Sequence, residues 1–114
     1  MKVNMLIVDD EPIICQGLRE TVPWEEAGVE VVAEAYDGGE ALGLIAELGV
    51  DLVLTDINMP AMDGLQLAEA IKASMPHVRI VILTGYGEFE YARQAVRLGV
   101  EDFLLKPADV SEMV

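Results

Sequence analysis

The chain has 114 residues, of which 21 are Asp or Glu and 7 are Lys or Arg, for a formal charge of −14. That length makes one domain, residues 1–114, since compact domains cluster near ~100–150 residues and close a core at this size without staples, and a hydrophobic content of 53% excludes a disordered tract. The acidic balance repels phosphate backbones and argues against direct nucleic-acid contact, the lone Cys15 excludes an internal disulfide and suits a reduced, cytoplasmic setting, and no apolar stretch approaches the ~20 residues that span a bilayer.

The first apolar run, Val3–Val8, stops at Asp9-Asp10-Glu11. It reads as a buried strand and is too short for a secretory signal. Pro12 suits the first turn of a helix carrying Ile13, Ile14 and Leu18, which halts before Pro23. Trp24 is placed to cover the end of that helix. A second run, Val29–Ala35, leads only to Tyr36-Asp37, which fits a strand at the edge of a sheet. Asp37 with Glu40 has the spacing of a capping box, and Gly49 suits the position just past the next helix.

The third run, Leu52–Thr55, leads to Asp56. Asp63 and Gln66 repeat the cap signal ahead of Leu67, Ala70 and Ile71. The fourth run, Val78–Leu83, leads to Thr84. Residues Glu88–Leu98 have helical spacing, with Phe89, Ala92, Ala95 and Val96 on one side and Gly99 as the stop. The fifth run, Phe103–Leu105, leads to Lys106-Pro107. A fifth helix can begin at Asp109 and is left incomplete. His77 lies in a polar turn after Pro76, and the six methionines have no cofactor spacing.

This alternation of strand and helix implies right-handed βαβ units, a parallel sheet and helices on both faces. All strands of such a sheet end at one edge, and ligands bind there. Asp9, Asp10, Asp56, Thr84 and Lys106 therefore converge on one rim. Taken singly, each has a plain structural reading as a cap, a turn residue or a solvated charge. Together they make a site. Clustered carboxylates stay ionised only when a cation offsets them, and oxygen donors favour Mg²⁺, Mn²⁺ or Ca²⁺ over zinc.

The ordered set Ile7-Val8-Asp9-Asp10-Glu11, Leu54-Thr55-Asp56-Ile57-Asn58-Met59-Pro60, Asp63-Gly64, Leu83-Thr84-Gly85 and Leu105-Lys106-Pro107 resembles the receiver domains of bacterial two-component response regulators over essentially the whole chain. The resemblance implies a flavodoxin-like (βα)5 fold, with five parallel strands in the order 2-1-3-4-5 and the last helix truncated. It implies Asp56 as phosphoacceptor. Mg²⁺ would be held by Asp10, Asp56 and the backbone carbonyl of Asn58, with Asp9 acting through a bound water. Thr84 and Lys106 would meet the phosphoryl oxygens. Thr84 and Phe103 would form the switch, with Phe where many receivers have Tyr. A cis Lys106–Pro107 bond and slow hydrolysis screened by Tyr86 are further expectations.

The stretch Thr84–Ala92 and the Pro23-Trp24 pair look most like receivers joined to AraC-type DNA-binding domains, and that output domain is absent here. The implied partners are a sensor histidine kinase and a second copy meeting through the fourth helix and fifth strand. The implied chemistry is limited to the protein's own phosphorylation and dephosphorylation. A phosphatase using an aspartyl-phosphate intermediate would want a second Asp where Asn58 stands. A degenerate receiver would lack part of the acidic, Thr and Lys set. A flavodoxin-like cofactor binder would want a phosphate-cradling loop in place of Asp9-Asp10-Glu11.

Overall fold

The computed structural model describes residues 2–57, 59, 61–84 and 102–105, with Thr84 and residues 102–105 described by their backbone. The elements in chain order are β1 (Val3–Val8), α1 (Pro12–Thr21), a 3-10 turn (Trp24–Ala27), β2 (Val29–Ala35), α2 (Gly38–Leu48), β3 (Leu52–Asp56), α3 (Gly64–Ser74), β4 (Arg79–Thr84) and β5 (Asp102–Leu105). The strands form one sheet in the order β2-β1-β3-β4-β5, and every pairing is parallel. This is the order that the family resemblance implies. The expected helix at 88–98, Tyr86, Asn58, Lys106-Pro107 and the start at Asp109 lie outside the described residues.

Successive side chains of a strand point to opposite faces, and the core divides accordingly. Leu6, Val8, Val53, Ile80 and Ile82 face one side, where Ala41 and Ile45 of α2 and Leu67, Ala68 and Ile71 of α3 cover them. Met5, Ile7, Leu54, Val81 and Leu83 face the other, where Cys15 of α1 and Trp24 pack. A sheet buried on both faces needs apolar residues at consecutive positions, which is why these strands read as unbroken runs.

β2 lies at the edge of the sheet, as its exit to Tyr36-Asp37 suggests. Only Ala35 is fully buried there, because β2 has a neighbour on one side only. Its register slips by one residue, with Met5 opposite Val31 and Leu6 opposite Ala33.

The helices start and stop on the expected signals, with corrections. Pro12 opens α1. Cys15 is buried and Leu18 packs against the same cluster, whereas Ile13 is 74% exposed and faces water. Ala70 is only half-buried on α3, between Leu67 and Ile71 in the core. Asp63 and Gln66 form a complete capping box. Asp37 accepts from Glu40 N–H at 2.8 Å, but Glu40 Oε1 accepts from Tyr36 N–H, one residue before the cap. Gly49 ends α2 in the left-handed region, with φ 63°, a conformation that costs glycine little. Trp24 does cover the end of α1: its ring N–H donates to Leu18 O at 2.9 Å.

Candidate functional site

The register places the ends of the central strands side by side. Val8 pairs with Thr55 and Asp56 with Leu83. Asp9 therefore leaves β1 beside Asp56, which is the last residue of β3 and not the first loop residue. Thr84 closes β4 and pairs with Leu105. Phe103 pairs with Ile82 two residues inward, so the two expected switch positions lie on neighbouring strands near the same edge.

Asp9, Asp10 and Asp56 each offer a carboxylate oxygen, and these oxygens lie within 4.8 Å of one another. Asp9 is 1% exposed and Asp56 5% exposed, whereas Asp10 faces solvent. Asp9 Oδ1 accepts from Glu11 N–H at 2.9 Å, and its own N–H donates to Ala35 O at 3.0 Å. The first bond turns the chain into α1, and the second ties the loop to the edge strand. Together they fix the carboxyl group on the inner side of the rim.

Asp56 is set by its backbone. Ile57 N–H donates to Leu83 O at 3.2 Å, which extends the β3–β4 ladder past the acidic residue. Thr55 Oγ1 donates to Asp56 O at 3.0 Å. Gly64 then packs directly beneath. Its N–H donates to Ile57 O at 2.8 Å, and a β-carbon on it would lie 2.5 Å from Asp56 O. Any residue with a side chain at position 64 would displace the acidic strand end.

Two carboxylates this enclosed, with a third at the mouth, suit a hard divalent cation. Mg²⁺ takes one or two carboxylates, keeps several waters and shares a phosphate oxygen. The mix of buried Asp9 and Asp56 with exposed Asp10 leaves an open side for such a ligand. Soft or borderline metals find no partner set among the described residues nearby. Cys15 is buried in the core, its Sγ–H pointing to Asp9 O at 3.7 Å, and its pKa is pushed up to about 12, first by burial and then by the Asp9 and Glu34 charges. It is a packed thiol and not a thiolate ligand. His77 sits exposed in the turn after α3.

Of the expected site residues, the structure thus brings Asp9, Asp10 and Asp56 together. It places Thr84 and Phe103 at the same edge by their backbone, while Asn58 and Lys106 are outside the described residues. Gly64 is a supporting residue that stands out in the sequence only as part of a motif. Its tight contact with β3 depends on a chain reversal that no local periodicity reveals.

Comparison with known proteins agrees with this geometry. The family model for the response regulator receiver domain matches residues 5–114. The transcriptional regulatory protein YesN of Bacillus subtilis is 39% identical over 97% of this chain and 30% of its own length. HptR of Staphylococcus aureus, also a transcriptional regulatory protein, is 38% identical over 96% of this chain and 43% of its own length. The chain therefore spans less than half the length of these curated relatives.

Among solved structures, the receiver domain of AraT, a response regulator from Geobacillus stearothermophilus, is 47% identical, with a TM-score of 0.89 over 99% of this chain and 88% of that one. The receiver domain of NarL from Mycobacterium tuberculosis is 34% identical, with a TM-score of 0.86 over 99% of this chain and 90% of that one. With the acidic rim, the 2-1-3-4-5 sheet and the matched length all in agreement, the chain belongs to the response regulator receiver domains of two-component systems.

Proposed function

We propose that this domain is a phosphorylation-dependent switch that accepts a phosphoryl group on Asp56, with Mg²⁺, from the phosphohistidine of a sensor kinase. The observation that carries the reading is the grouping of Asp9, Asp10 and Asp56 within 4.8 Å at the carboxyl edge of the sheet. Asp10 and Asp56 would ligate the ion together with the Asn58 carbonyl, and Asp9 would hold a bound water. The ion supplies charge neutralisation for the phosphoryl oxygens.

The residues of the chain do the rest. An Asp56 carboxylate oxygen attacks phosphorus in line, the bond from phosphorus to the donor nitrogen breaks, and the imidazole leaves with the electron pair and takes up a proton. Phosphoryl transfer depends chiefly on placement and on neutralising spread charge, and a carboxylate nucleophile yields an acyl phosphate. Lys106 and Thr84 would meet the oxygens of the group. The only reactions catalysed are the domain's own phosphorylation and its hydrolysis.

A phosphoryl group brings about −1.5 to −2 charge and strong acceptor oxygens. Thr84 moving toward one oxygen would vacate space for Phe103, which links the rim to the fourth-helix and fifth-strand face through which two copies would pair. The two regulatory relatives support a transcriptional output, exerted by a DNA-binding domain of AraC type in the cytoplasm.

The test is phosphorylation by acetyl phosphate, read by intact mass. The parent gains the mass of one phosphoryl group with Mg²⁺ and little without it. Asp56→Asn gains none. A variant modified as fully as the parent would move the acceptor elsewhere.

A further inference from the structure

Resting on the reading of Asp56 as a Mg²⁺-assisted phosphoacceptor, we infer that Met62, seated against Gly38 at the start of α2, is a positioning residue that holds the β3–α3 loop in the shape the metal site requires. The loop leaves β3 at Asp56 and returns at Gly64, and its two ends touch: a β-carbon on Gly64 would lie 2.5 Å from Asp56 O and 2.8 Å from Ile57 Cα. A displacement within the loop therefore has little slack before it reaches Asp56.

Within this loop Ala61 has φ 66°, and it is the one non-glycine residue with positive φ among those described. An L side chain is disfavoured there, and the conformation persists only where the surroundings over-determine it. The surroundings are the next residue and its seat. Met62 is half-buried and packs on the core cluster that α2 and α3 share. A β-carbon on Gly38 would meet Met62 Sδ at 2.5 Å, Cγ at 2.9 Å and Cβ at 3.0 Å. The thioether thus fills the space that a side chain at position 38 would take.

The seat itself is fixed. Asp37 caps α2 at 2.8 Å, and Ala41 and Ile45 anchor the helix in the core. On the solvent side, Tyr36, Asp37, Gly38 and Gly39 face Ala61 and Met62 across an open cleft, so among the described residues this contact is the brace between α2 and the outer turn of the loop. Met62 thereby transmits the fixed position of α2 to the backbone beyond the acceptor. The loop also carries Asn58, whose carbonyl the proposed site uses as a ligand. Mg²⁺ demands near-octahedral geometry, so a loosened loop is read out as lost affinity even where the fold survives.

The experiment is a calorimetric Mg²⁺ titration of the parent, Met62→Ala, Met62→Leu, Gly38→Ala and the Gly38→Ala/Met62→Ala double variant, each well below its own melting midpoint. Met62→Ala and Gly38→Ala should weaken Mg²⁺ binding by about tenfold, the scale on which outer support of a metal site acts. Met62→Leu, which conserves volume, should stay near the parent. The double variant should recover part of the loss, because the β-carbon added at position 38 enters the space the thioether leaves and meets only the retained β-carbon of residue 62, at 3.0 Å, and contacting residues are non-additive. A folded Met62→Ala that binds Mg²⁺ like the parent would overturn the inference, as would losses that simply add in the double variant. Should Gly38→Ala fail to fold, Met62→Ala against Met62→Leu decides. Asp10→Asn is the control: parental affinity in that variant would overturn the proposed metal site itself, and with it this inference.

Discussion

The loops after β1 and β2 each carry an Asp within two residues of the strand end at the carboxyl edge of the sheet, Asp9 and Asp37, and they use it in opposite ways. Asp37, after β2, is exposed and caps α2, where the helix N-terminus offers N–H groups and a partial positive charge. Asp9, after β1, is buried and lies beside two other carboxylates. The residue type is the same, and the strand's place in the sheet makes the difference. β2 has one neighbour, so its loop opens to water. β1 has two, so its loop is enclosed between the loops that leave β2 and β3. Asp9 also accepts a local bond, from Glu11 N–H, but the enclosed position brings its carboxylate next to those of Asp10 and Asp56.

The largest effect that would sharpen this contrast is the response to Mg²⁺. A ligand bound only by the native state stabilises it by about 2.7 kcal/mol at a hundredfold excess over Kd. The parent should therefore melt at a clearly higher temperature in saturating Mg²⁺ than in chelator. Asp9→Asn should reverse the order. Removing one of several like charges within 4.8 Å relieves repulsion worth on the order of 1 kcal/mol or more at these distances, so without metal the variant should melt above the parent. With metal it should gain less and fall below. Equal Mg²⁺ shifts in the two proteins would show that Asp9 takes no part in holding the ion.

Asp37→Ala is the matching change on the other loop. Losing an N-cap costs about 0.5–2 kcal/mol, so the melting temperature should fall with and without Mg²⁺ alike. Most of the Mg²⁺ shift should remain, because Ala41 and Ile45 still hold α2 in the core. A variant that loses the Mg²⁺ shift entirely would erase the distinction between the two loops.

Much of this contrast is legible in the sequence, for a physical reason. An apolar run long enough for a buried strand, with acidic residues directly after it, reports both the strand and its exit, and a parallel sheet brings all exits to one edge. Asp9, Asp10 and Asp56 are found that way. The capping signals at Asp63 and Gly49 are equally local, and they hold. What fails is phase and reach. The apolar residues at the start of α1 allow two faces, and the packing of Cys15 beneath β1 selects the one that leaves Ile13 in water. Glu40 is correctly spaced for a cap, yet it turns to the Tyr36 amide, because spacing names a partner segment and not an atom. The 3-10 turn at Trp24–Ala27 is too short to show a period. The Gly38–Met62 seat joins the start of α2 to a loop distant in sequence, and neither residue type announces the other.

The smallest expected effect lies on the outer side of β2. Arg19 of α1 donates from Nη1 to Glu34 Oε2 at 2.8 Å and from Nη2 to Val31 O at 3.0 Å. The Arg19 side chain is 43% exposed and that of Glu34 14%, so water screens much of the attraction, and pairs of this kind contribute about 0–1 kcal/mol. The hydrogen bond to Val31 O adds to that, since it covers a backbone carbonyl on the half-buried edge strand. Arg19→Ala should therefore lower stability by about 1 kcal/mol in urea melts at low salt. Arg19→Lys should recover part of the loss, because it restores the charge but not the second donor that reaches Val31 O. Raising the salt should narrow the gap between parent and Arg19→Ala, as expected when part of the effect is a screened charge pair. The Mg²⁺-induced rise in melting temperature should be the same in all three proteins, because the pair acts across the edge of the sheet and touches nothing at the acidic rim. A loss of Mg²⁺ response on removing Arg19 would mean that a disturbance of the edge strand at Val31 and Glu34 travels along β2 to the Asp9 N–H to Ala35 O bond and so into the site.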